Sequence, residues 1–357
     1  MHCNEDEVVR FCEEFSVTTR PRYAFGVTPY SRDIASHFPL SGFIDEYINE
    51  AFIDGVPVVN RSQLPVDAMI VCGIADGKAL TAQCKLEEIG LEFIDFFSFY
   101  RFFANVLTPA EFYHGADFID DYVQNRDAYN QTRTRLADKC SVDTFDKIVD
   151  FRLTNYISAL NGFTCQLSEQ YFDLPFIKDY TEHFVDCGAF DGATSQEFIR
   201  RFPHYQSIHC FEPDSAQCKR MATLFQDHPR IAVHPYGVSD KRATLYFTLS
   251  GSMSKICEQG EIAVEVISLD DYLSGPVSFI KMDIEGHELQ ALAGAEKTIK
   301  KYKPLLAICC YHRPDDFRTI PDLVLSFYSG YKLYMRHYTE GLLETVYYFV
   351  PEGSADE

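Results

Sequence analysis

The chain has 357 residues, 46% of them hydrophobic, including 30 Phe and 22 Tyr, and carries a formal net charge of -21. That length is too great for one ordinary domain and comfortable for two, while the charge, with no Lys/Arg-rich stripe against it, argues against nucleic acid as a partner. No run reaches the ~18 apolar residues a membrane span needs, the acidic start Met1 to Glu7 lacks a secretory apolar stretch, and the twelve cysteines, without a C-x-x-C pair, read as reduced core thiols of a soluble cytoplasmic protein.

Residues 1–105 alternate strand-like and helix-like patterns. Tyr23-Ala24-Phe25-Gly26, Ser41-Gly42-Phe43-Ile44-Asp45, Val56-Pro57-Val58-Val59 and Ala68-Met69-Ile70-Val71-Cys72-Gly73 are the strand candidates of a small Rossmann-like unit. Its turn, Phe25-Gly26-Val27-Thr28-Pro29-Tyr30-Ser31, places Thr28 and Ser31 where a pyrophosphate-binding turn has glycines, and Asp45 ends the next strand. The expectation is a unit that has lost ligand binding and serves packing or homo-oligomerisation; a nucleotide-sugar or nicotinamide site is the alternative. Residues 106–181 are helical and polar, a connector, and 351–357 form a tail.

Residues 182–350 hold the chemistry. The run Phe184-Val185-Asp186-Cys187 breaks into Gly188-Ala189-Phe190-Asp191-Gly192 and then starts a helical pattern at Thr194. That is a strand, a tight turn and a helix N-terminus, which presents backbone N–H groups to a ligand. A second strand, Ser207 to Phe211, ends in Glu212-Pro213-Asp214, where a ribose-binding carboxylate is expected. Asp186 and Asp191 flank Gly188, and carboxylates there suit a cationic, amine-bearing ligand; S-adenosylmethionine fits. Ile231-Ala232-Val233 follows, then Gly237-Val238, a hairpin-like insertion (Thr244 to Phe247 with Ala263 to Val266), Phe279 to Asp283, Leu305 to Cys310, and an antiparallel pair at Tyr331 to Arg336 and Thr345 to Val350. Within the insertion, the polar loop Ser250 to Ser254 is a candidate acceptor cover or a plain hairpin tip. The whole is an α/β fold, an open and mostly parallel sheet covered on both faces.

From about Asp138 onward the chain resembles the FkbM-type S-adenosylmethionine-dependent methyltransferases. The matching blocks are Val185 to Gly192, Phe211-Glu212-Pro213, Ser268-Leu269-Asp270-Asp271, Ile280 to Glu288, Tyr311-His312 and Arg336-His337-Tyr338. The resemblance implies a class I methyltransferase fold and methyl transfer to a hydroxyl of a small molecule or sugar/glycan precursor. The N-terminal unit is similar to small Rossmann-like domains on bacterial sugar-modifying enzymes. Asp186, Gly188, Ala189, Asp191, Gly192, Glu212, Pro213, Gly237, Val238 and Asp283 are then expected around the donor. An alcohol needs a base within hydrogen-bond reach. His312, directly after the fifth main strand, is the first candidate, with Asp283, His337 and His287 behind it. Tyr311, Arg336 and Tyr338 are candidate acceptor contacts, by stacking or through the planar guanidinium. Glu285 with Asp283 is thin ground for Mg²⁺, so no metal is expected. A donor-binding module without catalysis is the alternative from another class.

Overall fold

The computed structural model describes residues 5–110, 113–250, 253–257 and 262–352. Gly251 and Ser252 of the candidate cover loop, and 353–357 of the tail, lie outside the described residues. The chain forms two compact units: 1–119 with 146–167 and 337–343, and 120–145 with 168–336 and 344–357. Residues 106–181, expected as one connector, are therefore divided between them.

The first unit is built on strands β1 (Arg22–Phe25), β2 (Gly42–Ile44), β3 (Phe52–Ile53), β4 (Val56–Val59), β5 (Met69–Cys72) and β6 (Glu92–Ile94), with helices α1 (Glu5–Val17), α2 (Pro29–His37), α3 (Ala79–Ile89) and α4 (Phe96–Phe102). The sheet order is β3-β4-β2-β1-β5-β6. The order of strands reverses between β1 and β5, both parallel, which is where such a sheet opens a ligand crevice. There the hydroxyls of the turn after β1 bond to the chain's own backbone. Thr28 Oγ1 donates to Gly73 O at 2.6 Å and Ser31 Oγ to Gly26 O at 2.6 Å. Glu340 accepts the Thr81 N–H at 2.6 Å and the Thr81 hydroxyl at 2.8 Å, putting a carboxylate on the first turn of α3.

Helices α5 (Gly115–Gln124), α6 (Arg126–Arg135) and α7 (Lys139–Thr154) follow. The second unit holds β7 (His183–Cys187), β8 (Ser207–Phe211), β9 (Ile231–His234), β10 (Gly237–Val238), β11 (Ala243–Ser250), β12 (Met253–Cys257), β13 (Ile262–Ile267), β14 (Phe279–Met282), β15 (Leu305–Cys309), β16 (Tyr331–His337) and β17 (Thr345–Pro351). Its helices are α8 (Ala193–Arg201), α9 (Ser215–Leu224), α10 (Leu269–Tyr272), α11 (Glu288–Ala293), α12 (Glu296–Tyr302) and α13 (Asp316–Phe327). Seven strands make the main sheet in the order β16-β17-β15-β14-β7-β8-β9, with β17 antiparallel to β15. This is the open, mostly parallel α/β sheet expected from the sequence. All four residues of β14 and all five of β15 are buried, as parallel strands covered on both faces must be. The insertion is larger than a hairpin: β10-β13-β11-β12 form a separate four-stranded sheet. β12 escaped the sequence because Met253-Ser254-Lys255-Ile256-Cys257 lacks a regular apolar alternation.

Candidate active site

The strand order reverses between β7 and β14, so their carboxyl ends frame the crevice. Register sets Lys281 of β14 directly beside Asp186 of β7, and both side chains are buried. Lys281 Nζ lies 3.2 Å from Asp186 Oδ1, donates to Gly188 O at 2.7 Å and sits over the Tyr171 ring. Ser195 Oγ donates to Asp186 Oδ2 at 2.8 Å. Burial opposes the charge on Lys281, but Asp186 and then Asp283 outweigh it and raise its pKa. Asp186, expected to face the donor, is instead enclosed. The sheet packs both faces of β7, so its side chain anchors the glycine turn from beneath.

The turn itself is shaped for close approach. A Cβ on Gly188, whose φ is +77°, would lie 1.9 Å from Asp283 O, so the loops after β7 and β14 touch there. The Gly188 and Ala189 N–H groups donate to Phe211 O, tying the turn to β8. Asp191 Oδ1 accepts the Ala193 N–H at 3.1 Å, which closes a turn at the start of α8. Phe190 holds φ +46°, a left-handed conformation costing a non-glycine about 1–3 kcal/mol, and is 62% exposed. At the end of β8, Glu212 accepts the Asp214 N–H at 2.8 Å and the Phe190 N–H at 3.0 Å, one on each oxygen. Burial raises its pKa and those two bonds oppose the rise. Each oxygen keeps a further lone pair, so the carboxylate is oriented and still able to accept a diol. Pro213 is exposed beside it, and Val238 is buried at the end of β10.

Across the crevice, Asp283, Tyr311 and His312 end β14 and β15. His312 Nδ1 is 2.9 Å from Glu288 Oε1, and its Nε2 lies 3.4 Å from Asp283 Oδ1 and 3.8 Å from Glu285 Oε2. Tyr171 donates to Asp283 Oδ2 at 2.9 Å, and the Tyr311 hydroxyl is 3.5 Å from Oδ1. Burial alone pushes the pKa of His312 down. The charge of Glu288, its hydrogen bond, and then Asp283 and Glu285 prevail, raising it to about 10. Burial likewise works against the Asp283 carboxylate, but Lys281 and His312 hold its pKa below the ordinary value. The surrounding carboxylates thus favour the imidazolium, whereas the sequence offered His312 as a base.

Residues 186–337 match the methyltransferase FkbM domain. A methyltransferase FkbM from Methylobacillus flagellatus shares the fold over 96% of this chain and 98% of that one, with a TM-score of 0.74 and 22% identity. The 2-O-methyltransferase NoeI of Sinorhizobium fredii is 27% identical over 33% of this chain. The aligned part spans 58% of that relative's length.

Three expected site residues at the end of β16 and just beyond it are engaged elsewhere. The Arg336 guanidinium is held by Asp138 at 2.7 Å and by Ser141 at 2.9 Å, an anchor for β16 in place of an acceptor contact. Both His337 and Tyr338 belong to the first unit; Tyr338 is buried, while the half-buried His337 packs on Phe163, and loss of solvent around its ring drives its pKa down to about 3. His287 sits at the N-terminus of α11 without a capping bond from its side chain. Lys281, Glu288 and Tyr171 were missed. A lysine inside the apolar run Phe279 to Met282 was the available sign for the first, since a buried cation needs a buried partner. Glu288 lay within a matching block but carried no assigned role. Asp283, Glu288 and His312 each bring an atom suited to a metal within 4.8 Å of the others. Glu288 Oε1, however, already accepts from Ile284 N–H and binds His312 Nδ1, which is the pattern of a hydrogen-bond chain.

Proposed function

We propose that this protein transfers a methyl group from S-adenosylmethionine to a hydroxyl of a small molecule or a sugar/glycan precursor. The observation that carries it is the meeting of the Gly188 turn with the Asp283 loop, which brings the Glu212 side of the crevice against the Asp283–His312–Glu288 chain. The residues fit the donor: Gly188, where any Cβ would strike the Asp283 carbonyl, lets the two loops close on one side of the crevice, and Glu212 suits a ribose diol. Bound there, S-adenosylmethionine supplies an activated methyl group. Asp283 orients the acceptor hydroxyl and His312 takes its proton, with Nδ1 held by Glu288. A bound cation opposes the imidazolium charge, which lowers the pKa of His312 toward the working range. That NoeI is named a 2-O-methyltransferase supports a hydroxyl acceptor. In the first unit the Thr28 and Ser31 hydroxyls, bonded to Gly73 O and Gly26 O, stand where a pyrophosphate-binding turn has glycines, which disfavours a nucleotide-sugar site there.

The test is incubation with labelled donor and extracted nucleotide sugars or lipid-linked glycans. Label should enter a hydroxyl of one acceptor class. Glu212→Ala should abolish donor binding, while His312→Ala should spare it and slow transfer about 10²–10⁴-fold. Tight donor binding with transfer to no acceptor would favour a non-catalytic module, and unchanged turnover in His312→Ala would remove that residue from the mechanism.

A further inference from the structure

Behind His312 lies a second carboxyl that the mechanism above does not use. Asp316, the first residue of α13, is completely buried. Its Oδ2 accepts the Arg313 N–H at 2.8 Å, and its Oδ1 has no hydrogen-bond partner. Glu288, the first residue of α11, is equally buried; its Oε1 is engaged, and its Oε2 has no hydrogen-bond partner. Two buried carboxyl oxygens on helices that pack together are thus both short of a partner. Ionised carboxylates only accept, so two of them cannot satisfy each other, whereas one acid and one carboxylate can. We propose that Asp316 is an undissociated acid whose Oδ1–H donates to Glu288 Oε2, completing a chain Asp316–Glu288–His312 that positions the imidazole. The electrostatics agree: burial, then the charge of Glu288, push Asp316 up to about 8, against the opposing charge of His312 and the Arg313 N–H bond. Asp315 adds a smaller push in the same direction.

Asp316 is a positioning residue. With Oε2 engaged by the acid, Glu288 can turn only Oε1 to His312, which keeps the proton on Nδ1 and leaves Nε2 toward Asp283. Because Asp316 carries no charge, Glu288 alone balances the imidazolium from behind, with Asp283 and Glu285 in front. Its effect on turnover rests on the methyl-transfer reading; the protonation of the carboxyl does not.

The decisive measurement is carbon NMR of the full-length protein labelled at aspartate carboxyls, with the Asp316 resonance assigned by its loss in Asp316→Asn. It should report an undissociated acid at pH 6 and ionise only near pH 8; ionisation complete by pH 6 overturns the proposal. Asparagine supplies an N–H to Glu288 and an oxygen to Arg313 N–H, so Asp316→Asn should keep kcat within about threefold. Asp316→Ala should slow kcat about 10–100-fold, leave donor affinity unchanged and shift the pH profile. If the asparagine variant were as impaired as the alanine one, the acid role would be wrong. Folding adds a check on wild type and Asp316→Asn alone. The folded protein holds a proton that the unfolded chain loses near pH 4, so wild-type stability should fall relative to the asparagine variant from about pH 4 to 8. A constant difference over that range overturns the proposal. A protein that transfers no methyl group still yields the NMR and folding results, so the two claims fail separately.

Discussion

Lys281 shows how a single buried side chain can hold a glycine turn in place. Its ammonium neutralises Asp186 and grips the Gly188 carbonyl from inside the sheet. Removing it leaves Asp186 as a buried charge with only Ser195, and loss of one partner of a buried pair costs about 3–5 kcal/mol. Lys281→Met should therefore lower Tm sharply, and Lys281→Met with Asp186→Leu should recover most of the loss; scanning calorimetry of both variants checks this. His312 leads to a second expectation at this scale. Its pKa near 10 means the free protein holds this proton throughout neutral pH, stabilised by Glu288, Asp283 and Glu285. A cationic donor opposes that charge, so donor binding between pH 7 and 9 should release protons. Titration calorimetry in buffers of different ionisation enthalpy measures them, and binding without release would place the sulfonium away from the imidazole.

At the scale of elements, the site depends on two loops in van der Waals contact, those after β7 and β14. Gly188→Ala would put a methyl group into the Asp283 carbonyl and force an alanine to φ +77°. It should weaken donor binding at least tenfold, and turnover should fall with it; equal affinity by calorimetry would show that the loops can part cheaply. Much of this architecture was legible in the sequence. The glycine turn, Glu212 after β8, and Asp283 and His312 after β14 and β15 follow from strand ends alone, because ligands in open α/β sheets collect there. What was not legible depends on register and burial. The pairing of Asp186 with Lys281 requires knowing that their strands are adjacent and in step. Likewise Glu288 and Asp316 look like ordinary carboxylates at helix starts until the packing around them is known. Arg336, His337 and Tyr338 sat at the end of a strand, but β16 is the edge of the sheet, far in strand order from the β7–β14 crevice.

At the scale of the whole molecule, the division into units was the least readable feature, since sequence order suggested consecutive blocks. The chain instead passes between units at 119/120, 145/146, 167/168, 336/337 and 343/344. Scanning calorimetry should accordingly show one unfolding transition for both units; two well-separated endotherms would show that the repeated crossings do not couple them. The short excursion 337–343 makes the point most clearly, because it brings Glu340 to the first turn of α3, almost 260 positions away in the chain. Fragments severed near residue 105 or 181 would strip α3 of that carboxylate, so neither half is a portable module. Exchanging either unit as a block would require all five crossing points to be cut together, which ties the inheritance of the Rossmann-like unit to that of the unit holding the candidate site.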